Sequence, residues 1–221
     1  MMWNADPERY SEELAIFRRI LAARHYHALQ LAWRGPRGFE RPFITEDELK
    51  SFDSWLRSFP VEVQTPIRLF YFHEDVLTLY VERVFPSRVI DALQQLGILE
   101  VELAAARCPC FWVVNRLDLT LFAMSLGKPD KDAVYLGAES YGFVQHVYGL
   151  FGRVLDLGCG TGILGLAAAR QPDVREVWLT DSNPRAVWLT RLNAVRGAAH
   201  AWSGAYAGAN RHFLAEALRA A

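Results

Sequence analysis

The chain has little of several things. Its 221 residues hold three cysteines, Cys108, Cys110 and Cys159, too few and too scattered for a disulfide framework. No run approaches 18 uninterrupted apolar residues, so no transmembrane helix is expected. The N-terminus, Met1-Met2-Trp3-Asn4-Ala5-Asp6-Pro7, lacks the basic and apolar regions of a signal peptide. Together with the few cysteines, this points to a reducing, cytoplasmic setting. Charge of one sign is missing too: 24 Lys+Arg against 25 Asp+Glu leave a net charge of −1. No global field draws the chain to nucleic acid or an anionic membrane, so any nucleic-acid contact would need a local basic patch. With 52% hydrophobic and 22% charged residues, the composition is that of a globular protein with a substantial core. It excludes a disordered or collagen-like chain.

The first third reads as helix. Tyr10, Leu14, Phe17, Leu21, Tyr26 and Leu29 recur at helical spacing from Pro7 to about Trp33, and Gly35-Pro36-Arg37-Gly38 ends that pattern. Thr45 with Glu48 forms a capping box before the stripe Leu49, Phe52, Trp55 and Leu56. Shorter helices are expected over 65–71 and 86–96, the latter closed by Gly97. Two strands follow, Ile98 to Leu103 and Cys110 to Leu117. Helices followed by a two-stranded element predict a winged-helix-like N-terminal domain over 1–126, and acceptor recognition is its expected role. The stretch 127–132 reads as an exposed turn or linker.

From Arg153 the pattern becomes strand, glycine-rich turn, helix, strand, helix. Val154-Leu155-Asp156-Leu157 leads into Gly158-Cys159-Gly160-Thr161-Gly162. An Ala/Leu-rich helix follows, then a strand from Val174 to Thr180 with Asp181 at its end. Asn183-Pro184 starts a second helix, with proline at the first helical position. The fold class is therefore α/β: a mainly helical winged-helix-like domain, then the start of a Rossmann-like parallel sheet over 133–221.

The run 154–162 resembles the first motif of class I S-adenosylmethionine-dependent methyltransferases, and Leu179-Thr180-Asp181 resembles the acidic end of their second strand. Tyr135-Leu136-Gly137-Ala138-Glu139-Ser140-Tyr141 resembles the lead-in of bacterial members with a small-type methyltransferase domain. The resemblance covers about Tyr135 to Asn193. It implies S-adenosylmethionine as cofactor, methyl transfer as the activity, and a site that includes Tyr135, Ser140, Asp156, Gly158, Cys159, Gly160, Gly162, Asp181 and Ser182. RNA, protein and a small metabolite all remain open as acceptor.

The residue chemistry bears on this independently. Gly160-x-Gly162-x-x-Gly165 also fits the dinucleotide fingerprint. Asp156 separates the two ligands: a carboxylate beside the turn repels a pyrophosphate but suits the sulfonium and ammonium of S-adenosylmethionine. Asp181, 21 positions after Gly160, suits ribose hydroxyls in either case. A glycine-rich turn without ligand is the bland alternative. Ser140 and Glu139 read equally as a helix N-cap or as cofactor neighbours. Cys159 reads as a small packed residue. Cys108-Pro109-Cys110 reads as a hairpin turn and the histidines as ordinary core or surface residues, so no metal is expected. Arg18, Arg19, Arg24, Arg34, Arg37 and Arg41 make the N-terminal third locally basic and read most simply as solvated helix faces, with an RNA-contacting surface as the alternative.

From Arg153 to Ala221 there are 69 residues, room for about two βα units at roughly 30 residues each. Strands three to five of the expected sheet are missing, and Gly197 to Ala221 shows no Val/Ile run. A truncated or frameshifted reading frame is one expectation; an Ala-rich helix over 210–220 is the other. In the resembled family, members that methylate planar nitrogens carry an Asn/Asp-Pro-Pro-aromatic motif after the fourth strand. This sequence has no Pro-Pro pair, so the catalytic residues are unknown. The alternative function is a non-catalytic binding or regulatory module with a vestigial cofactor motif. Open strand edges would then invite self-association.

Overall fold

The computed structural model describes residues 5–34, 46–116, 119–124, 133–134, 136–195 and 202–207. Asp6 caps a 3-10 turn over Pro7–Tyr10, and α1 (Ser11–Ala23) and α2 (Tyr26–Arg34) follow. The single helix expected to about Trp33 is therefore two. His25 breaks it with φ of 56°, a left-handed conformation that ends a helix, while the apolar spacing carries on in register past the break. α3 spans Glu46–Leu56; Thr45, its expected cap, lies outside the described residues. α4 (Val61–Phe70) begins four residues earlier than expected. Pro60 supplies the start there, and Pro66 inside the helix does not end it.

The next elements are β1 (Val76–Leu77), α5 (Thr78–Val84), α6 (Ser87–Gln95), β2 (Glu100–Val101) and β3 (Ala105–Arg107). Neither β1 nor α5 was legible, being only two and seven residues long. β3 lies between β1 and β2, antiparallel to both. With α4 ahead of it, this is the helix–strand–helix–helix–strand–strand order of a winged helix. α6 ends as expected: Gly97 takes φ of 68°, and Ile98 N donates to Leu93 O at 2.8 Å.

The two expected strands do not pair with each other. The first pairs with β3. The second is β4 (Phe111–Arg116), which forms a separate antiparallel hairpin with β5 (Leu119–Met124). Sequence pattern shows strand character but not the partner, because any exposed backbone edge satisfies the ladder. Both outer edges of this hairpin are tied by side chains. Tyr26 Oη and Gln30 Nε2 donate to Val113 O at 2.8 and 3.1 Å. Asn193 holds both backbone groups of Phe122.

α7 (Ala138–Val144) is capped by Gly137, not by Glu139 or Ser140, which lie within its first turn. Then come β6 (Gly152–Leu157), α8 (Ile163–Ala168), β7 (Val174–Asp181) and α9 (Pro184–Ala194), capped by Asn183 with Pro184 at its start. β8 (Trp202–Ala207) adds a third strand parallel to β7, from Val177↔Trp202 to Asp181↔Ala207. This corrects the expectation that strand three is missing. Its sequence, Trp-Ser-Gly-Ala-Tyr-Ala, has no β-branched residue, but strand preference is largely context. The free backbone edge of β7 supplies that context. The sheet order is β6-β7-β8, and the expected helix over 210–220 falls outside the described residues.

The large core crosses the chain. Phe17 stacks on Phe85 and Phe122 at 5.6 Å and meets Phe70 edge-on at 5.2 Å. Ala186, Trp188, Leu189, Leu192 and Val195 of α9 and its C-cap are buried in the same cluster. Trp188 Nε1 donates to Ala5 O at 2.8 Å, and Arg191 pairs with Asp6 and Glu8 at 2.9 and 3.1 Å. The small parallel sheet thus rests on the N-terminal helices through α9, and burial of α9's apolar face supplies most of that attachment. No described helix is long and apolar enough to cross a membrane.

Candidate cofactor site

β6 delivers Asp156 and Leu157 to the carboxyl end of the parallel sheet, where the chain must turn sharply into α8. Gly158, Gly160 and Gly162 take φ of 76°, 55° and 80°, a region in which only glycine is free of strain. Thr180 O accepts from Gly158 N at 2.8 Å and from Cys159 N at 3.0 Å, and Gly162 N donates to Cys159 O at 2.7 Å. Asp181, at the end of the adjacent strand, accepts from Gly160 N at 2.9 Å through Oδ2 and from Asn183 N at 2.8 Å through Oδ1. The acidic residue therefore fixes the turn before it meets any ligand.

The glycines serve two different purposes. A Cβ at Gly165 would lie 2.6 Å from Leu179 Cδ2, and one at Gly162 would lie 3.0 Å from Thr190 Cγ2. Those two are needed for packing. A Cβ at Gly158 or Gly160 would meet nothing within 4 Å. Over those two the backbone is open, which is what close approach of a ligand requires.

Asp156 has a structural task as well. Gly162, the N-cap of α8, has no side chain to offer. Asp156 Oδ2 instead accepts from Gly165 N at 2.9 Å, reaching across from the strand to cap the helix. Burial raises its carboxyl above the usual range. The Gly165 bond opposes that, and the Asp181 charge adds to it. Two carboxylates near one turn make a site that disfavours a pyrophosphate and favours a cationic ligand. The donor set fits S-adenosylmethionine in charge and in backbone access.

Of the sequence-derived candidates, Asp156, Gly158, Cys159, Gly160, Gly162, Asp181 and Ser182 come together at the carboxyl ends of β6 and β7. Ser182 is exposed. Cys159 is buried with its thiol pushed up to about 12, chiefly by burial, and its Sγ lies 3.4 Å from Thr190 Oγ1. Ser140 sits on α7, which packs on α8 through Val144. Among the described residues no hydrogen bond joins Ser140 to the turn. Tyr135 lies outside the described residues. Cys108 is buried, with its thiol also near 12 through burial. His73, at φ of 57°, meets Cys108 O at 2.7 Å through Nδ1.

Two residues at the turn's support escaped the sequence reading. Thr190 Oγ1 donates to Gly160 O at 3.0 Å, and Asn193 Nδ2 donates to Thr161 O at 2.9 Å. Both are fully buried on α9. Their signal was two polar residues three apart within an otherwise apolar helix face. Arg18 is a correction. It is not on a solvated face; its guanidinium donates to Val195 O at 2.6 Å and Leu192 O at 2.9 Å, the terminal carbonyls of α9. Its pKa is lowered to about 10 by burial.

The methyltransferase small domain family matches residues 138–212. Over 55 residues the chain is 44% identical to the ribosomal RNA large subunit methyltransferase G of Klebsiella pneumoniae subsp. pneumoniae and to that of Klebsiella pneumoniae strain 342. The match covers 24% of this chain and 15% of each relative. The open glycine turn and its two carboxylates thus lie inside the stretch, residues 138–212, that is similar to the methyltransferase small domain family.

Proposed function

We propose that the chain binds S-adenosylmethionine at the glycine turn and directs its methyl group to an RNA acceptor. The observation that carries the cofactor half is the pair of open left-handed glycines, Gly158 and Gly160, beside Asp156 and Asp181. S-adenosylmethionine supplies a methyl group on a positively charged sulfur, ready for displacement by an acceptor nucleophile. The chain's own part is to hold and orient. The backbone at Gly158 and Gly160 admits the ligand, and Asp181 keeps lone pairs for hydroxyl groups while it holds Gly160 N. The Asp156 and Asp181 carboxylates favour the cationic end. Most of the rate in such a transfer comes from in-line positioning.

The RNA half rests on the name of the two relatives. The N-terminal unit, with its winged-helix order and its fixed attachment to α9, would present the acceptor. The test has two stages. Calorimetry of the 221-residue chain with S-adenosylmethionine should show binding, with none for NADH and none for Asp181→Ala. Labelled methyl transfer to ribosomal RNA and to bulk protein should then mark only RNA. A folded chain that fails to bind S-adenosylmethionine refutes the cofactor half. Binding with no label in RNA refutes the acceptor half and favours a non-catalytic module.

A further inference from the structure

The cofactor turn has a front, described above, and a back, which is α9. Thr190 and Asn193 lie three residues apart, so their side chains emerge on one face of the helix. Both are fully buried. Thr190 Oγ1 donates to Gly160 O at 3.0 Å. The neighbouring Cys159 thiol, kept protonated by burial, is the donor left for Thr190's lone pair at 3.4 Å. Asn193 uses its whole amide. Nδ2 donates to Thr161 O at 2.9 Å and to Phe122 O at 2.9 Å, and Oδ1 accepts from Phe122 N at 2.7 Å.

Phe122 belongs to β5, in the hairpin that precedes the Rossmann-like unit. Asn193 is therefore one amide bridging two distant parts of the chain. On one side it completes the edge of β5 as a neighbouring strand would. On the other it holds a carbonyl of the cofactor turn. A turn with three left-handed glycines has little intrinsic preference for one shape, so its shape must come from such contacts. Asp181 fixes the N–H side; Thr190 and Asn193 fix the carbonyl side.

We infer that Thr190 and Asn193 are positioning residues for the cofactor turn, and that Asn193 makes the turn's shape depend on the docking of the β4–β5 hairpin. The part concerning affinity rests on the proposed S-adenosylmethionine site; the part concerning turn shape does not.

The test compares Thr190→Val, Thr190→Ser and Asn193→Ala with Arg191→Met, which frees α9 from Asp6 and Glu8 without touching the cofactor turn or the hairpin. Two quantities are read: amide hydrogen exchange over 158–163, and the dissociation constant for S-adenosylmethionine by calorimetry. Thr190→Val, close in shape to threonine, guards against a misfolded Asn193→Ala. Thr190→Val and Asn193→Ala should each speed exchange of the turn and weaken binding by about tenfold, the equivalent of one lost hydrogen bond. Thr190→Ser and Arg191→Met should each leave both near wild type. Equal acceleration of the turn in Arg191→Met would overturn the inference, since general loosening of α9 would then explain it. So would wild-type exchange and affinity in Thr190→Val. If the wild-type chain binds no S-adenosylmethionine but turn exchange follows this pattern, the cofactor reading fails and the positioning role stands.

Discussion

Replacing Arg18 by methionine should cost the fold about 2–4 kcal/mol. The guanidinium reaches Val195 O at 2.6 Å and Leu192 O at 2.9 Å, with longer contacts to Asn193 O at 3.3 Å and Thr120 O at 3.4 Å. Two carbonyls lose a short charge-assisted bond, and each left unpaired costs about 1–3 kcal/mol. The loss of a cation at a helix C-terminus adds roughly 0.3–1 kcal/mol. Against this, methionine removes the penalty of burying a charge, the same penalty that lowers the Arg18 pKa to about 10. At neutral pH the group is still protonated, so the charge is present to be lost. For a chain of this size each kcal/mol moves the melting temperature by roughly 2–4 °C, so a drop of about 4–16 °C is expected. Thermal unfolding followed by circular dichroism reads it. Arg18→Lys should recover less than half, because an ammonium cannot fork between two carbonyls. A methionine variant that melts within about 2 °C of wild type would show that the bonds are worth no more than the charge costs to bury, and would refute the reasoning.

Gly165→Ala should destabilise although it removes a helix glycine. A gain of about 1 kcal/mol in helix propensity is outweighed by overpacking of about 1–3 kcal/mol, because the new Cβ lies 2.6 Å from Leu179 Cδ2. A higher melting temperature would contradict the packing. Asp156→Asn tests the carboxylate. Burial raises the folded pKa above the ordinary 3.8. The stability of the neutral acid is therefore complete below 3.8 and is lost as pH rises through the folded value. Asparagine keeps an oxygen for Gly165 N–H and has no charge to bury. At pH 7 the variant should melt no lower than wild type, its advantage should vanish toward pH 4, and its S-adenosylmethionine affinity should fall. A variant that melts lower at pH 7 would show the charge to be stabilising.

Much of the Rossmann-like unit was legible because its signals are local. Asp156, the three turn glycines, Asp181 and the Asn183-Pro184 start are each within a few residues of the backbone they control. The same locality exposed Gly97 as a helix end. Other features were hidden for equally physical reasons. His25 ends α1 with no glycine or proline to announce it. β8 carries no β-branched residue, since the edge of β7 templates it. The hairpin partner of β4 was mistaken because strand character does not name a partner.

The amino-acid sequence by itself determined the α/β class, the place of the glycine turn and the carboxylates that set the site's charge, because a glycine's freedom and a strand-end aspartate act at short range. Only the tertiary structure decided what stands behind that turn. Arg18, Phe122, Thr190 and Asn193 are brought together from positions up to 175 residues apart, by burial of an apolar helix face that is blind to sequence separation. Nothing in their local sequence specifies that meeting.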